Sequence, residues 1–544
     1  MRALITFGLA AALAAAGLIG CGGSDRREAG TATVLMLTAP DYLDPQLAYG
    51  TQSGEAEWIA YTPLLTYRHG DAPDGTQLIP GLAESLPQIS PNGRIYTLKL
   101  RSGLFYSDGR AVKASDFSYT IERAIKLGWG GRGFFTSNII GAREYETGQA
   151  SSISGISTDD SSGKITIRLI RPYSAFANVL AFPAAGLVPS GTPMRNLSND
   201  PPAGVGAYRI TGVVPNRSFN LVRNQRFAAL KIPRIPTGNL ARIVVRIEPN
   251  PRSAVEQVLS NRADNVDPAT TLPLALLSRF QSAAPARFKA EPIPSTLSFF
   301  MNTTVPPFNS ELARRAVVTA LNRRALARAA GGLLSPDCYL LPEGIPGHPG
   351  GSCPYGEASG YGNLEAGRQL VQASGTAGQT ITVWGEKGEP EQAYVRYYAR
   401  LLGRLGYRVG TNLIPSSTYF RTVGAPAASP QTGFASWFND FPNPIDFYRV
   451  MDADSVRATP GANLGRVQDP FIQQQLEKLN LVPAQELPAA SGGWRALDEY
   501  VATKAYAAVF GSQEVPILMS DRIDLDSAVT HPLFLSDWSS WSLR

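Results

Sequence analysis

The sequence predicts an α/β protein, and two observations carry that prediction. Short segments with the two-residue alternation of half-buried strands recur between segments with the 3.6-residue spacing of amphipathic helices. Of the 544 residues, 44% are hydrophobic and only 17% are charged, which supplies a large core and excludes both disorder and a charged coiled coil. At about 150 residues per domain, this length corresponds to three or four domains.

Taken in order, Met1 to Cys21 reads as a leader: Arg2, an Ala- and Leu-rich run from Ala3 to Ile19, and the ending Leu18-Ile19-Gly20-Cys21. The run is shorter than the roughly 20 residues of a membrane span and carries small residues where a peptidase would cut. It is similar to a bacterial lipoprotein signal, with residues 1–21 as signal and lipobox, Cys21 as the acylated residue and residues 22–32 as a flexible polar tether. No later segment reaches 18 consecutive apolar residues.

Val34 to Leu37 is the first strand and Ile95 to Leu100 the next. Behind the turn at Ser107-Asp-Gly109, Phe117, Ile121, Ala124 and Ile125 share one face of a helix capped by Ser115. Lys164–Leu169, Ser218–Arg223 and Arg242–Ile247 are strands, and Ser253–Asn261 is a helix after Asn250-Pro251. One helix runs from Glu311 to Arg328, opened by Ser310 and closed by Gly331-Gly332, with its Arg pairs on a solvated face. Glu391–Leu405 is another, stopped by Gly406, and Asp469-Pro470 opens the next. Trp494, Leu497, Tyr500, Val501 and Val509 mark a last helix before a C-terminal segment containing Trp538 and Trp541.

Chemistry-bearing motifs are scarce. The net charge of +6 comes from scattered residues, without the basic cluster of a nucleic-acid footprint. His69, His348 and His531 lie far apart, and no HExxH, CxxC, GxSxG or GxxxxGK[ST] occurs. No metal site, cofactor or catalytic constellation is therefore expected, and a secreted hydrolase is a remote alternative. Apart from Cys21, the cysteines are Cys338 and Cys353, fifteen positions apart. In an exported chain two such cysteines pair, although two separately buried thiols are the alternative reading.

Several blocks then carry a family resemblance: Leu43-Asp-Pro45, Ile79 to Leu86, Ser90 to Phe117, Ile140 to Gly148, Gly204 to Tyr208, Val222-Arg-Asn224, Met301-Asn302, Pro306-Pro-Phe308, Arg314 to Arg323 and Trp437 to Pro444. Ser90 to Phe117 is the most specific, a strand followed by an Arg-x-Gly turn, a Phe, an Asp-Gly turn and a helix. Together they resemble extracellular solute-binding protein family 5, the oligopeptide and dipeptide class that serves ABC importers. The chain departs from the family pattern at Val205, Ala207 and Asn322, where relatives carry Thr, Pro and Asp.

The resemblance implies a two-lobed periplasmic-binding-protein-like fold of class II type with an extra domain near the N-terminal end. Mapped here, lobe I combines 33–70, 188–295 and 505–544, the extra domain is 71–187, and lobe II is 296–504. It implies no catalysis, and a monomer that binds a peptide or peptide-like ligand between the lobes. Its partners would be an ABC permease with ATPase subunits and, through Cys21, the outer face of the cell membrane, or the periplasm if the host has an outer membrane. A non-peptide solute, such as a metal chelate, haem, opine or oligosaccharide, is the alternative on the same fold. Asp440 would clamp the ligand's α-ammonium, or else cap the turn before Pro442. Trp437 and Phe441 would wall a side-chain pocket, one of them equally suited to core packing, with Asn439 beside them. Asp41 and Tyr42 would approach the ligand backbone. Lys387, Arg396 and Arg421 are candidate cations for a ligand carboxylate, with solvated surface charge the plainer reading of each.

Overall fold

The computed structural model describes residues 30–269, 271–355, 360–456 and 461–544; the leader, Cys21 and most of the tether lie outside them. A 12-stranded sheet runs through the molecule. At the centre of its first half, Thr31–Met36 pairs in parallel with Arg242–Ile247 and Asn265–Val266. Ser218–Arg223 and Tyr208–Val214 extend that half antiparallel. In the second half, Thr380–Lys387 lies parallel to Arg408–Pro415 and Thr432–Phe438. Thr432–Phe438 in turn pairs antiparallel with Ser295–Met301.

One long strand, Ala507–Met519, joins the halves. Its start pairs with Ser295–Met301 and its end with Phe288–Pro292, so two antiparallel segments cross side by side between the lobes. The register shifts at Leu297, opposite Gly511. A Cβ at Gly511 would lie 2.3 Å from the Ser335 carbonyl oxygen, so glycine is required for the crossing segments to pass the chain at Ser335.

A separate four-stranded sheet (Gln88–Ile89, Ile95–Lys99, Lys164–Arg168, Ile156–Asp159) packs with the helix Ser115–Leu127. Tyr96, Phe117, Ile121 and Ile167 share one buried core with Val34, Phe219, Ile243 and Trp538 of the first half. The second half has its own core around Phe299, Val317, Val383 and Leu402. Among the described residues no helix is long and apolar enough to cross a membrane. Cys338 and Cys353 form a disulfide, and closing a loop of that length stabilises by about 3 kcal/mol in the chain-entropy view.

Four expectations need correction. The helix expected over Glu311–Arg328 is two helices, Glu311–Ala320 and Arg323–Ala329. The chain turns extended at Leu321 and Asn322, and Asn322 caps the second helix by accepting from Ala325 N. The Arg pairs are solvated only in part: Arg315 and Arg324 reach solvent, but Arg314 donates to the Phe308 carbonyl and Arg323 to those of Asp337 and Val509, both side chains being buried. Ser115 does not cap the helix Ser115–Leu127; it bonds to Asp160, while Asp116 accepts from Lys113 N. Val509 belongs to the long strand, because the last helix, Leu487–Thr503, has already ended.

Beneath the first lobe, Trp58 stacks on His69 at 4.0 Å and tilts against His531 at 4.3 Å. His531 is fully buried, and its Nδ1 accepts the backbone N–H groups of Leu533 and Phe534. Burial, with His69 alongside, holds its pKa down to about 3. Because the unfolded imidazole takes a proton below about pH 6.5 and the folded one does not, this contribution is intact above that pH and is lost progressively as pH falls towards 3. His531→Asn, whose Oδ1 can replace Nδ1 as acceptor, should give a shallower fall in urea-unfolding stability between about pH 7 and 4. An unchanged slope would assign the acid sensitivity to other groups.

Candidate ligand-binding cleft

The strand Thr432–Phe438 ends beside the interlobe crossing, with Phe438 opposite Ser295 and Trp437 opposite Thr296. Alternation along the strand sends these two side chains to opposite faces. Phe438 is exposed in the cleft, whereas Trp437 borders a mostly apolar cavity of about 350 Å³ inside the second lobe, with Phe300, Phe420 and Tyr506. The cleft itself holds a cavity of about 470 Å³, bordered by Thr51, Pro268 and Leu533 from one side and by Glu386, Glu391, Phe420 and Asn439 from the other. Ile293 and Gln513 of the crossing segments close its end. Ser436 and Phe420 border both spaces, so the apolar cavity continues from the cleft. A third space, about 170 Å³, lies between Tyr49, Trp129, Asn439 and Asp440. Volumes of this order suit a small organic ligand.

Among the described residues, the Asp440 side chain receives no backbone N–H. Its Oδ1 accepts from the Tyr49 hydroxyl at 2.9 Å, and Arg449 approaches Oδ2 at 3.5 Å. The turn is held instead by Asp446, which accepts from Asp440 N at 2.7 Å and from Trp437 Nε1 at 3.2 Å. Asp446 sits in the first turn of the helix Pro444–Tyr448, behind the cap Asn443. Burial, with Asp440 nearby, pushes the Asp446 carboxyl well above the usual range. Burial raises Asp440 too, while the Tyr49 hydroxyl and Arg449 act in the opposite direction. Its side chain keeps 22% of its exposure, and a cation arriving there meets a charge-assisted acceptor.

The other expected positions divide. Asn439 borders the cleft, and its Nδ2 is a buried donor with no acceptor among the described residues. Phe441 does not wall a pocket: it is 1% exposed and packs edge-on against Phe134 and Phe182. Asp41 is engaged locally, taking Tyr49 N, Gly50 N and the Ser53 hydroxyl at the start of the helix Thr51–Trp58. Tyr42 borders a groove with Val214 and Phe219 of the first lobe, not the cleft. Lys387, Arg396 and Arg421 are exposed and border none of these cavities, and Arg396 pairs with Glu389. Sequence reasoning missed Tyr49, Asp446, Arg449, Glu386 and Glu391. Asp446 alone left a signal, an acid in the first turn after Asn443-Pro444.

Comparison with known proteins places this geometry. Over 331 residues the chain is 25% identical to the probable peptide ABC transporter periplasmic-binding protein y4tO of Sinorhizobium fredii, covering 56% of this chain and 57% of that protein. Over 320 residues it is 26% identical to the probable deoxycholate-binding periplasmic protein YgiS of Escherichia coli, covering 57% and 56%. The chain thus spans little more than half the length of these curated relatives. Among solved structures, the clavulanic acid biosynthesis oligopeptide binding protein 2 superposes with a TM-score of 0.84 at 22% identity, over 94% of this chain and 95% of that one. That likeness shows the two-lobed solute-binding fold. The model of "Bacterial extracellular solute-binding proteins, family 5 Middle" matches residues 77–457, well over half of the sequence. The chain belongs to that solute-binding family, a transport family rather than an enzyme family.

Proposed function

We propose that this chain is the substrate-binding lipoprotein of an ABC importer, capturing a peptide or peptide-like solute between its lobes and presenting it to a permease with ATPase subunits. Asp440 carries the reading. It is a carboxylate at the interlobe boundary whose turn is held by Asp446 instead, and its partners, the Tyr49 hydroxyl and the half-exposed Arg449, leave acceptor capacity for an ammonium. The names of the Sinorhizobium relative and of the matched oligopeptide-binding structure support a peptide ligand. Charge supports it further: Glu386, Glu391 and Asp440 border the cleft spaces against the single cation Arg449 among the described residues. A carboxylate steroid of the kind named for the Escherichia coli relative would meet that acidic wall unfavourably.

In this reading lobe I comprises 33–70, 188–295 and 505–544, the extra domain 71–187 and lobe II 296–504. Capture occurs in an open form; bending at the two crossing segments closes the lobes, and greater affinity for the closed form drives the change. Free-amine tripeptides at about 100 times their Kd should stabilise the protein by about 2.7 kcal/mol, read as a rising melting temperature. A tripeptide pool that leaves the melting temperature unmoved at millimolar concentration would overturn the reading.

Anchoring by an acylated Cys21 follows from Leu18-Ile-Gly-Cys21, and leaves a monomer tethered at the outer face of the cell membrane. Cys21→Ala should shift the protein from the membrane fraction to the soluble one. A variant as firmly membrane-bound as its parent would rule the lipid anchor out.

A further inference from the structure

Glu57 lies on the helix Thr51–Trp58, is 1% exposed, and borders the 170 Å³ space with Tyr49, Trp129, Phe182 and Asp440. Its Oε1 is buried with no hydrogen-bond donor among the described residues. A carboxyl withdrawn from water without a partner is costly and is retained only when something offsets the cost. The nearby cation does not do so: Arg123 spends its guanidinium on Asp44, Gln46 and two carbonyls. Burial first, then the charges of Asp44 and Asp41, drive the Glu57 carboxyl well above the usual range. Trp129 and Phe182, whose ring centroids are 5.3 Å apart, border the same space. An unpartnered acid in an aromatic-walled space is complementary to an organic cation.

We infer that this space is a second cation subsite, in which Glu57 receives the ammonium or guanidinium of a basic side chain while Asp440 holds the peptide's α-ammonium. The inference rests on the peptide reading above and deepens it: the ligands would be basic peptides. Occupation gives Glu57 the partner it lacks, and a neutral side chain of the same length leaves the carboxyl orphaned.

The test is calorimetric titration of Lys-Ala-Ala, Ala-Lys-Ala and Ala-Ala-Lys against the same peptides with norleucine for lysine. In at least one register lysine should bind tighter by about tenfold or more, and Glu57→Gln should reduce that preference to about threefold or less. Lysine and norleucine binding alike in every register would overturn the subsite and leave the peptide reading intact; so would a preference that survives Glu57→Gln. If Glu57→Gln folds poorly, Glu57→Ala carries the same test, and lysine and norleucine binding alike in the parent overturns the subsite without either variant. If no tripeptide of either kind binds, the peptide reading fails, and agmatine becomes the probe. Agmatine raising the melting temperature of the parent but not of Glu57→Gln would uphold the cation subsite on its own, and no shift in either would overturn it.

Discussion

Asp440→Asn is expected to weaken binding of a free-amine tripeptide by about 2–5 kcal/mol while changing binding of the N-acetylated peptide by less than about 0.5 kcal/mol. The amide keeps the shape and an acceptor for the Tyr49 hydroxyl, which now donates to Oδ1 at 2.9 Å. What it removes is the charge that offsets desolvation of the ligand's ammonium. Arg449, at 3.5 Å, is too long and too exposed a partner to neutralise the acid fully. The turn itself should survive, because Asp446 rather than Asp440 receives the backbone N–H at position 440. Calorimetry of both peptides on both proteins reads the coupling. Equal losses for the two peptides would make Asp440 a structural residue and move non-peptide solutes ahead.

The largest stability effect should come from a buried ion pair of the first lobe that does not itself border the cleft spaces. Arg123 and Asp44 are both fully buried and meet through two hydrogen bonds of 2.6 and 2.7 Å. Arg123 also donates to Gln46 Oε1 and to the carbonyls of Pro193 and Arg195, and Asp44 accepts from Leu197 N. The pair ties the Leu43-Asp-Pro45 turn of the first lobe to the helix Ser115–Leu127, which explains why the turn needs an acid. Arg123→Met should cost about 3–5 kcal/mol in urea unfolding, because it leaves Asp44 charged and buried without its cation. A loss below about 1 kcal/mol would mean that Asp44 is neutral or hydrated in the folded protein.

What could be read from the sequence follows from how local each cause is. Asn250 and Asp469 are helix caps within three residues of the N–H groups they accept, and the helices they begin were legible. The break at Leu321-Asn322 was hidden because the apolar face continues through it, from Val317 and Ala320 to Leu326. At the start of the strand Ala507–Met519, Val509 fits the apolar face of the preceding helix. The strand alternates poorly because it passes through two different environments, pairing first with Ser295–Met301 and then with Phe288–Pro292. Asn439 and Asp440 are adjacent and follow Trp437 within three positions, so they could be found by pattern. Tyr49 could not, since 391 positions separate it from the carboxylate it meets. Asp41 misled because an acid beside the cleft elements served a nearer need, the start of the helix Thr51–Trp58. Phe441 misled because its neighbours in space are Phe134 and Phe182, residues far away in the sequence.

The central claim is that the cleft holds a peptide by its free α-ammonium, and the solute the protein already carries tests it most directly. Mass spectrometry of small molecules released by denaturing the gently isolated protein should find short peptides with unblocked N-termini, depleted when Asp440→Asn is isolated in the same way. Recovery of a sugar, a haem, a metal chelate or N-blocked peptides as the bound species, at the same level from both proteins, would contradict the account.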